Sequence, residues 1–127
     1  MADRITSFEQ LHVWQESISL AVDVYEITKS FPDSENFGIT SQIRRSASSV
    51  SANIAEGFGR NGKKEKLQFV AIAYGSLLET KSFLYLANRL GYFNNEQLAH
   101  LLDRITILQK QLNSFSGTIK RYGQTNY

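Results

Sequence analysis

Apolar residues recur every three or four positions through four long stretches of the chain. This spacing predicts helices over about 8–30, 35–59, 63–90 and 94–122, because residues three and four apart lie on one face of a helix. One proline and eight glycines interrupt the whole chain, which favours long helices over a strand-rich fold with many turns. The pattern therefore predicts an all-α protein.

The predicted helix ends carry recognisable signals. Ser7 and Gln10 have the spacing of a capping box at the start of the first helix. Pro32 ends that helix, because the residue before a proline disfavours helical geometry. Asn94 or Asn95 is a good N-cap for the fourth helix. We expect short links, and short links require neighbouring helices to run antiparallel.

The length of 127 residues suits one domain covering residues 1–127. Together, the helices and links predict an antiparallel, up-and-down four-helix bundle. In that arrangement Arg44 or Arg45 in the second helix pairs with Glu79 in the third. The same register sets Ala47 and Ser48 against Gly75 and Ser76, whose small side chains predict a tightly packed helix crossing.

The third helix has more apolar residues than one bundle core needs. They form two stripes on a helical wheel: Leu67, Val70, Tyr74, Leu77, Leu78, Leu84 and Tyr85 on one side, and Phe69, Ile72, Phe83, Leu86, Ala87 and Leu90 on the other. A helix that is apolar nearly all round needs a second partner surface, so we expect an oligomer. The alternative is that scattered surface aromatics fill a thick core.

Polar residues of the second helix share the face opposite its core stripe: Arg45, Ser49, Ala52, Glu56 and Arg60. Glu56 and Arg60 have the favourable spacing for an ion pair on a helix. Two interpretations remain open. The strip is either an ordinary solvated face or a polar surface satisfied across a subunit contact.

The string from Arg44 to Gly57, RRSASSVSANIAEG, resembles the four-helix-bundle proteins encoded in intervening sequences of bacterial 23S rRNA genes. Further likenesses are FEQLHVWQ from Phe8, the Phe31–Pro32 pair, and GSLLE from Gly75. The resemblance covers nearly the whole chain. It implies a ring-shaped homopentamer, and kinship with the accessory protein of diversity-generating retroelements, which works beside a reverse transcriptase and binds nucleic acid through a basic surface.

Candidate catalytic chemistry is sparse, and we expect a protein that is not an enzyme and uses no cofactor or metal. The chain has no cysteine, which excludes thiolate ligands and a cysteine nucleophile. A di-iron bundle needs two Glu-x-x-His pairs facing inward, whereas Glu9 and His12 form one and His100 is expected at the far end. Glu56 and Glu79 are the only candidate catalytic carboxylates, and carboxylates in this setting more often form structural ion pairs than take part in catalysis.

The antiparallel arrangement brings the start of the first helix, the link between the second and third, and the end of the fourth together. Half of the 14 basic residues fall at this end: Arg4, Arg60, Lys63, Lys64, Lys66, Lys120 and Arg121. In a ring they would form a repeated basic rim that contacts phosphates without reading sequence. The alternative is that these side chains aid solubility and complement the dipole of the fourth helix. Asp3, Glu9, Glu56 and Glu65 share this end.

Two functions follow from the sequence. The first is an oligomeric accessory protein that binds RNA or DNA through the basic rim (Arg60, Lys63, Lys64, Lys66, Lys120 and Arg121), alone or beside a nucleic-acid-processing protein. The second is an assembly scaffold with no nucleic-acid role. In either case the interface or structural polar residues are Arg44, Arg45, Asn53, Glu56, Ser76 and Glu79. No segment approaches the length of a membrane span, and we expect a cytoplasmic protein with no membrane partner.

Overall fold

The structure is a computed structural model, and it describes residues 5–123. Four α-helices make up most of it, and no strand occurs in this part of the chain. The helices are α1 His12–Thr28, α2 Ile39–Phe58, α3 Lys63–Arg89 and α4 Asn95–Tyr122; 3₁₀ turns at Phe8–Gln10 and Asp33–Glu35 precede α1 and α2. The prediction of an all-α, four-helix protein is confirmed.

The first helix begins later than the periodicity predicts. Leu11 is extended, with φ −71° and ψ 123°, and it separates the 3₁₀ turn from α1. The Gln10 side chain accepts the backbone N–H of Ser7 at 3.1 Å. The predicted capping residues therefore stabilise a single 3₁₀ turn, and Leu11 itself is buried in the core.

The start of α2 is also displaced, to Ile39. Glu35 lies in the preceding 3₁₀ turn, where its carboxylate accepts the hydroxyl of Tyr92 at 2.7 Å and the N–H of Ile39 at 3.4 Å. These contacts tie the turn to α2 and to the link after α3, so the chain turns here before it becomes α-helical. Phe37, between the 3₁₀ turn and α2, is 100% exposed.

The link between α3 and α4 is compact. Gly91 has φ +82°, the left-handed region that glycine adopts without strain. Tyr92 N–H then donates to Ala87 O at 3.0 Å, which closes the end of α3. Asn94 caps α4 as predicted, since its side chain accepts the N–H of Gln97 at 2.7 Å.

One hydrophobic core lies between the four helices. Its fully buried members come from every helix and include Leu20, Val24, Ile43, Val50, Ile54, Leu77, Leu84, Ile105, Leu112 and Ile119. The most extensive helix–helix packing is between α2 and α3. Along that contact Arg45 meets Glu79 and Phe58 meets Lys66, so residue numbers rise in α2 as they fall in α3.

Candidate nucleic-acid interface

Four exposed cations lie where α3 begins and α4 ends. Lys63 and Lys64 occupy the first turn of α3, while Lys120 and Arg121 occupy the last turn of α4. The two termini are adjacent, because a Cβ added at Gly123 would lie 3.9 Å from Cδ of Lys63. Within residues 5–123, none of these four cations forms an ion pair with a carboxylate. We call this group the basic end.

Lys66, predicted as a phosphate contact, is buried and does not belong to the basic end. Its side chain is 7% exposed, and its ammonium donates to the carbonyl of Phe58 at 2.9 Å. Burial lowers the pKa of Lys66 below its ordinary value. The helical spacing of the sequence indicates this burial. Val70 and Ala73, four and seven residues after Lys66, lie on the same face of α3 and belong to the core.

Arg60 is exposed and already has partners within the chain. Its guanidinium donates to Glu56 at 2.9 Å, so the predicted i,i+4 ion pair is confirmed. The guanidinium carbon also lies 4.9 Å from the centre of the Phe69 ring. Because of these contacts, the guanidinium of Arg60 is less available to an external phosphate than the ammonium groups of Lys63 and Lys64.

Charge is distributed unequally along the bundle. Glu9 and Glu65 are exposed near the basic end, while Asp3 and Arg4 fall outside the described residues. The opposite end carries both signs of charge in similar number: acidic Asp23, Glu26, Asp33, Glu35, Glu79, Glu96 and Asp103, and basic Lys29, Arg44, Arg45, Lys81, Arg89 and Arg104. Excess positive charge is therefore concentrated at the basic end, which attracts a polyanion.

The predicted ion pair between α2 and α3 is confirmed for one of the two candidate arginines. Nη2 of Arg45 lies 2.6 Å from Oε2 of Glu79. Arg44 points the other way, toward α1, where its Nε donates to Thr28 Oγ1 at 2.8 Å and its guanidinium lies 4.8 Å from the centre of the Tyr25 ring. The two adjacent arginines thus tie α2 to different neighbours.

Hydroxyl and amide groups continue the polar contact along α2 and α3. Ser76 donates to Ser49 at 3.1 Å, and Asn53 donates to the carbonyl of Ser49 at 2.8 Å. Deeper in the contact, the hydroxyls of Ser46 and Thr80 lie 2.8 Å apart. These polar groups find partners within one chain.

The predicted tight crossing lies elsewhere on the same contact. A Cβ at Gly75 would meet nothing within 4 Å, so this glycine faces open space and the prediction for it is wrong. A Cβ at Gly57 would lie 2.8 Å from Cβ of Phe69. The two helices therefore approach each other closely at Gly57, near the basic end.

Several large apolar side chains remain outside the core. They include Ile18, Val22 and Tyr25 on α1, Ile72, Leu78, Tyr85 and Leu86 on α3, and Leu90 at the C-cap of α3. The two predicted stripes of α3 do not divide into core and surface. Leu77 and Leu84 of the first stripe and Ala87 of the second are buried, while both stripes also contribute exposed residues.

The histidines occupy separate places. His12 lies 3.7 Å from Glu16 on α1, and His100 lines a cleft between α1 and α4 beside Glu26 and Glu96. Among residues 5–123 no group of three or more metal-ligating side chains converges. In the same range, no helix combines the length and the apolar character that crossing a bilayer demands.

The family model of the 23S rRNA-intervening sequence protein matches residues 9–114. The chain belongs to this family. A crystal structure of a protein with unknown function from the S23 ribosomal protein family of Bacteroides thetaiotaomicron VPI-5482 is similar to it, at 27% sequence identity and a TM-score of 0.73. That match covers 82% of this chain and 97% of the other. No curated protein matches the chain.

Proposed function

We propose that this 23S rRNA-intervening sequence family member is a non-enzymatic, cytoplasmic homo-oligomer that binds nucleic acid through its basic end. The subunit is an up-and-down antiparallel bundle, and the oligomer is a closed ring, with five subunits as the expected number. The α2–α3 contacts support the antiparallel arrangement for that helix pair. The proposal leaves no role for a metal or a cofactor.

Exposed apolar stripes support self-assembly. The α1 stripe (Ile18, Val22 and Tyr25) lies beside α2, because Tyr25 contacts Arg44. The outer stripe of α3 consists of Ile72, Leu86 and Leu90. It lies on the same helix face as Glu79, whose carboxylate pairs with Arg45 of α2, so this stripe lies beside the edge of α2 that is away from α1. The exposed residues of α2 between them are small or polar. Exposed apolar patches of this kind often mark protein–protein contacts, so each stripe is a candidate subunit contact.

A second apolar stripe lies on the side of α3 that faces α4. Tyr74, Leu78 and Tyr85 form it by helical spacing, and Tyr74 accepts a hydrogen bond from Gln109 of α4 at 3.3 Å. A closed ring of more than two subunits needs two different surfaces that complement each other. The two stripes of α3 supply two such surfaces on one subunit.

The nucleic-acid part of the proposal depends on one observation. Lys63, Lys64, Lys120 and Arg121 are exposed, lie at the same end of the bundle, and have no carboxylate partner in the described chain. Exposed cations attract phosphates by a sequence-independent electrostatic interaction that releases counterions. A ring repeats this group once for each subunit, and the repetition raises the avidity for a long polyanion.

The test is a titration of a fluorescent single-stranded RNA at several salt concentrations. We expect the logarithm of the affinity to fall linearly with the logarithm of salt concentration. The variant Lys63→Glu/Lys64→Glu/Lys120→Glu should bind more weakly at low salt. Its salt slope should be smaller by about 0.7 for each phosphate that the variant no longer neutralises.

Arg89→Glu is the matched control, because Arg89 is an exposed cation at the end of α3 remote from the basic end. It should retain the wild-type affinity and salt slope. Equal reductions of affinity in the control and in the triple variant would contradict the proposal. RNA binding that is absent, or that does not respond to salt, would favour the second candidate function, an assembly scaffold, which the exposed apolar stripes support independently.

A further inference from the structure

A pocket of about 570 Å³ lies between the end of α1 and the start of α2, far along α2 from the basic end. Six residues line it: Tyr25, Asn36, Thr40, Ser41, Arg44 and Arg45. Two are arginines, three carry hydroxyls, one carries an amide, and none is acidic. This composition is that of an anion site.

Arg44 is a preorganised cation within this pocket. Its Nε donates to Thr28 Oγ1 at 2.8 Å, and its Nη2 lies 3.4 Å from the carbonyl of Tyr25. The Tyr25 ring lies under the guanidinium at 4.8 Å. Among the described residues no carboxylate pairs with Arg44, so its charge is held in place without a counterion.

Thr40 gives an independent indication of a ligand. It is 5% exposed, and its hydroxyl has no hydrogen-bond partner in the described part of the chain. A buried hydroxyl without a partner costs free energy, and a ligand in the pocket would remove that cost once the side chain turns toward it.

Neighbouring acidic groups do not occupy the pocket. Glu35 accepts hydrogen bonds from Ile39 N–H and from the Tyr92 hydroxyl, and it is not one of the lining residues. Glu79 pairs with Arg45 outside the cluster formed by Arg44 and Thr40. The positive charge of Arg44 is therefore available to an anion that enters the pocket.

We propose that this pocket binds the phosphoryl group of a phosphomonoester, with Arg44 and the hydroxyls of Thr40 and Ser41 as its principal contacts. A guanidinium matches the geometry of a phosphate better than that of a monovalent halide. The pocket is large enough to hold more of the ligand than its phosphate. The site is separate from the basic end, so it stands or falls independently of the proposed RNA binding.

The test measures the affinity for inorganic phosphate by NMR titration of the full chain at constant ionic strength, following the Thr40 amide and the Arg44 Nε–H signals. We expect saturable binding to the wild-type protein. Thr40→Val and Arg44→Gln should each weaken it by about tenfold or more, the effect expected when a charge-assisted or buried hydrogen bond is removed. Arg89→Gln, which changes a cation outside the pocket, should bind as the wild type does.

Thr40→Val separates a ligand role from a structural one. It removes an unpartnered buried hydroxyl, so the phosphate-free melting temperature should be unchanged or higher, while phosphate binding is weakened. If Arg44→Gln does not fold, Thr40→Val and Ser41→Ala decide the question. Absence of saturable binding in the wild type, or equal affinities in the wild type and in Thr40→Val, would overturn the proposal.

Competition identifies the source of the phosphoryl group. Displacement of inorganic phosphate by a 5′-phosphorylated oligoribonucleotide, and not by its 5′-hydroxyl form, would assign the group to a nucleic-acid end. Displacement by adenosine monophosphate alone would assign it to a free phosphomonoester. Either result supports the site, whereas phosphate binding that none of these compounds displaces would contradict it. Using the Lys63→Glu/Lys64→Glu background keeps the basic end out of the measurement.

Discussion

At the scale of the residue, Lys66 shows how position on a helix decides the role of a charge. Its alkyl chain crosses the α2–α3 contact, and its ammonium donates to the carbonyl of Phe58 in the last turn of α2. A cation is favourable there, because the carbonyls at a helix C-terminus lack partners and carry partial negative charge. Burial opposes the charge and lowers the pKa of Lys66.

The lowered pKa predicts a pH dependence of stability. Between the folded-state pKa of Lys66 and 10.5, its ordinary value, the unfolded chain binds more protons than the folded one. The contribution of Lys66 to the free energy of unfolding therefore rises with pH in that window. Urea unfolding from pH 7 to 10 should show the wild-type protein gaining stability relative to Lys66→Met as pH increases.

Subtracting the free energy of unfolding of Lys66→Met from that of the wild type cancels the contribution of Tyr92 to the pH dependence. The hydrogen bond from its hydroxyl to Glu35, together with burial, raises the pKa of Tyr92, and this effect is common to both proteins. Fixed protein concentration is required, because assembly adds to apparent stability. A pH-independent difference between the wild type and Lys66→Met would show that the amine is not held in a desolvated position.

The sequence was informative about some residues and not about others. The antiparallel register alone predicted that Arg44 or Arg45 pairs with Glu79, because that register fixes which residues are opposite. Adjacent arginines, however, differ by about 100° around a helix, and the choice between them depends on how α1 packs beside α2. Arg44 therefore contacts Thr28 and Tyr25, a placement for which periodicity within α2 holds no signal.

At the scale of the element, two glycines on α2 and α3 differ in how closely the neighbouring helix approaches them. A Cβ at Gly57 would lie 2.8 Å from Cβ of Phe69, whereas a Cβ at Gly75 would meet nothing within 4 Å. Both glycines are inside helices. Their substitution by alanine thus separates the effect of helix propensity from the effect of close packing.

We predict that Gly57→Ala destabilises the protein by about 1–3 kcal/mol, because the helices must move apart to admit the methyl group. Gly75→Ala should stabilise it by up to about 1 kcal/mol, since alanine is the better helix former and space is available. Chemical denaturation of both variants at one protein concentration provides the measurement. Equal effects of the two substitutions would contradict the assigned packing.

The sequence predicted that the four helices exist, but it predicted the residues at which they begin less well. The apolar spacing that identifies a helix says little about its first turn, where specific side chains decide the geometry. Glu35 was predicted inside α2, but its carboxylate accepts a hydrogen bond from the hydroxyl of Tyr92, which is 57 residues later in the chain. That long-range contact holds a 3₁₀ turn in place of a longer helix.

At the scale of the whole molecule, the expectation of an assembly depends on where the exposed apolar side chains lie. Leu86, on the outer stripe of α3, is 50% exposed, and Ile107, on α4, is 53% exposed. Their exposure is similar, but their surroundings differ. Leu86 shares its stripe with Ile72 and Leu90, whereas the neighbours of Ile107 on its own face are the polar Asp103 and Lys110.

We predict that Leu86→Glu weakens self-association at least about tenfold, because it would bury an unpaired carboxylate at a cost above about 1.4 kcal/mol. Ile107→Glu, the matched control, should assemble as the wild type does, since single exposed apolar residues are ordinary surface features. Light scattering over a range of protein concentrations measures the association. Equal behaviour of the two variants would contradict the assignment of the outer stripe to an interface.

Sedimentation velocity of the protein with a fluorescent single-stranded RNA at low salt tests self-assembly and RNA binding together. One experiment reports both the mass of the protein species, in multiples of 14.4 kDa, and whether RNA travels with it. We predict that the RNA co-sediments with an assembly of several subunits, five being the expected number, and that it is released as the salt concentration is raised. A protein that sediments as a 14.4 kDa monomer while the RNA remains free would contradict it.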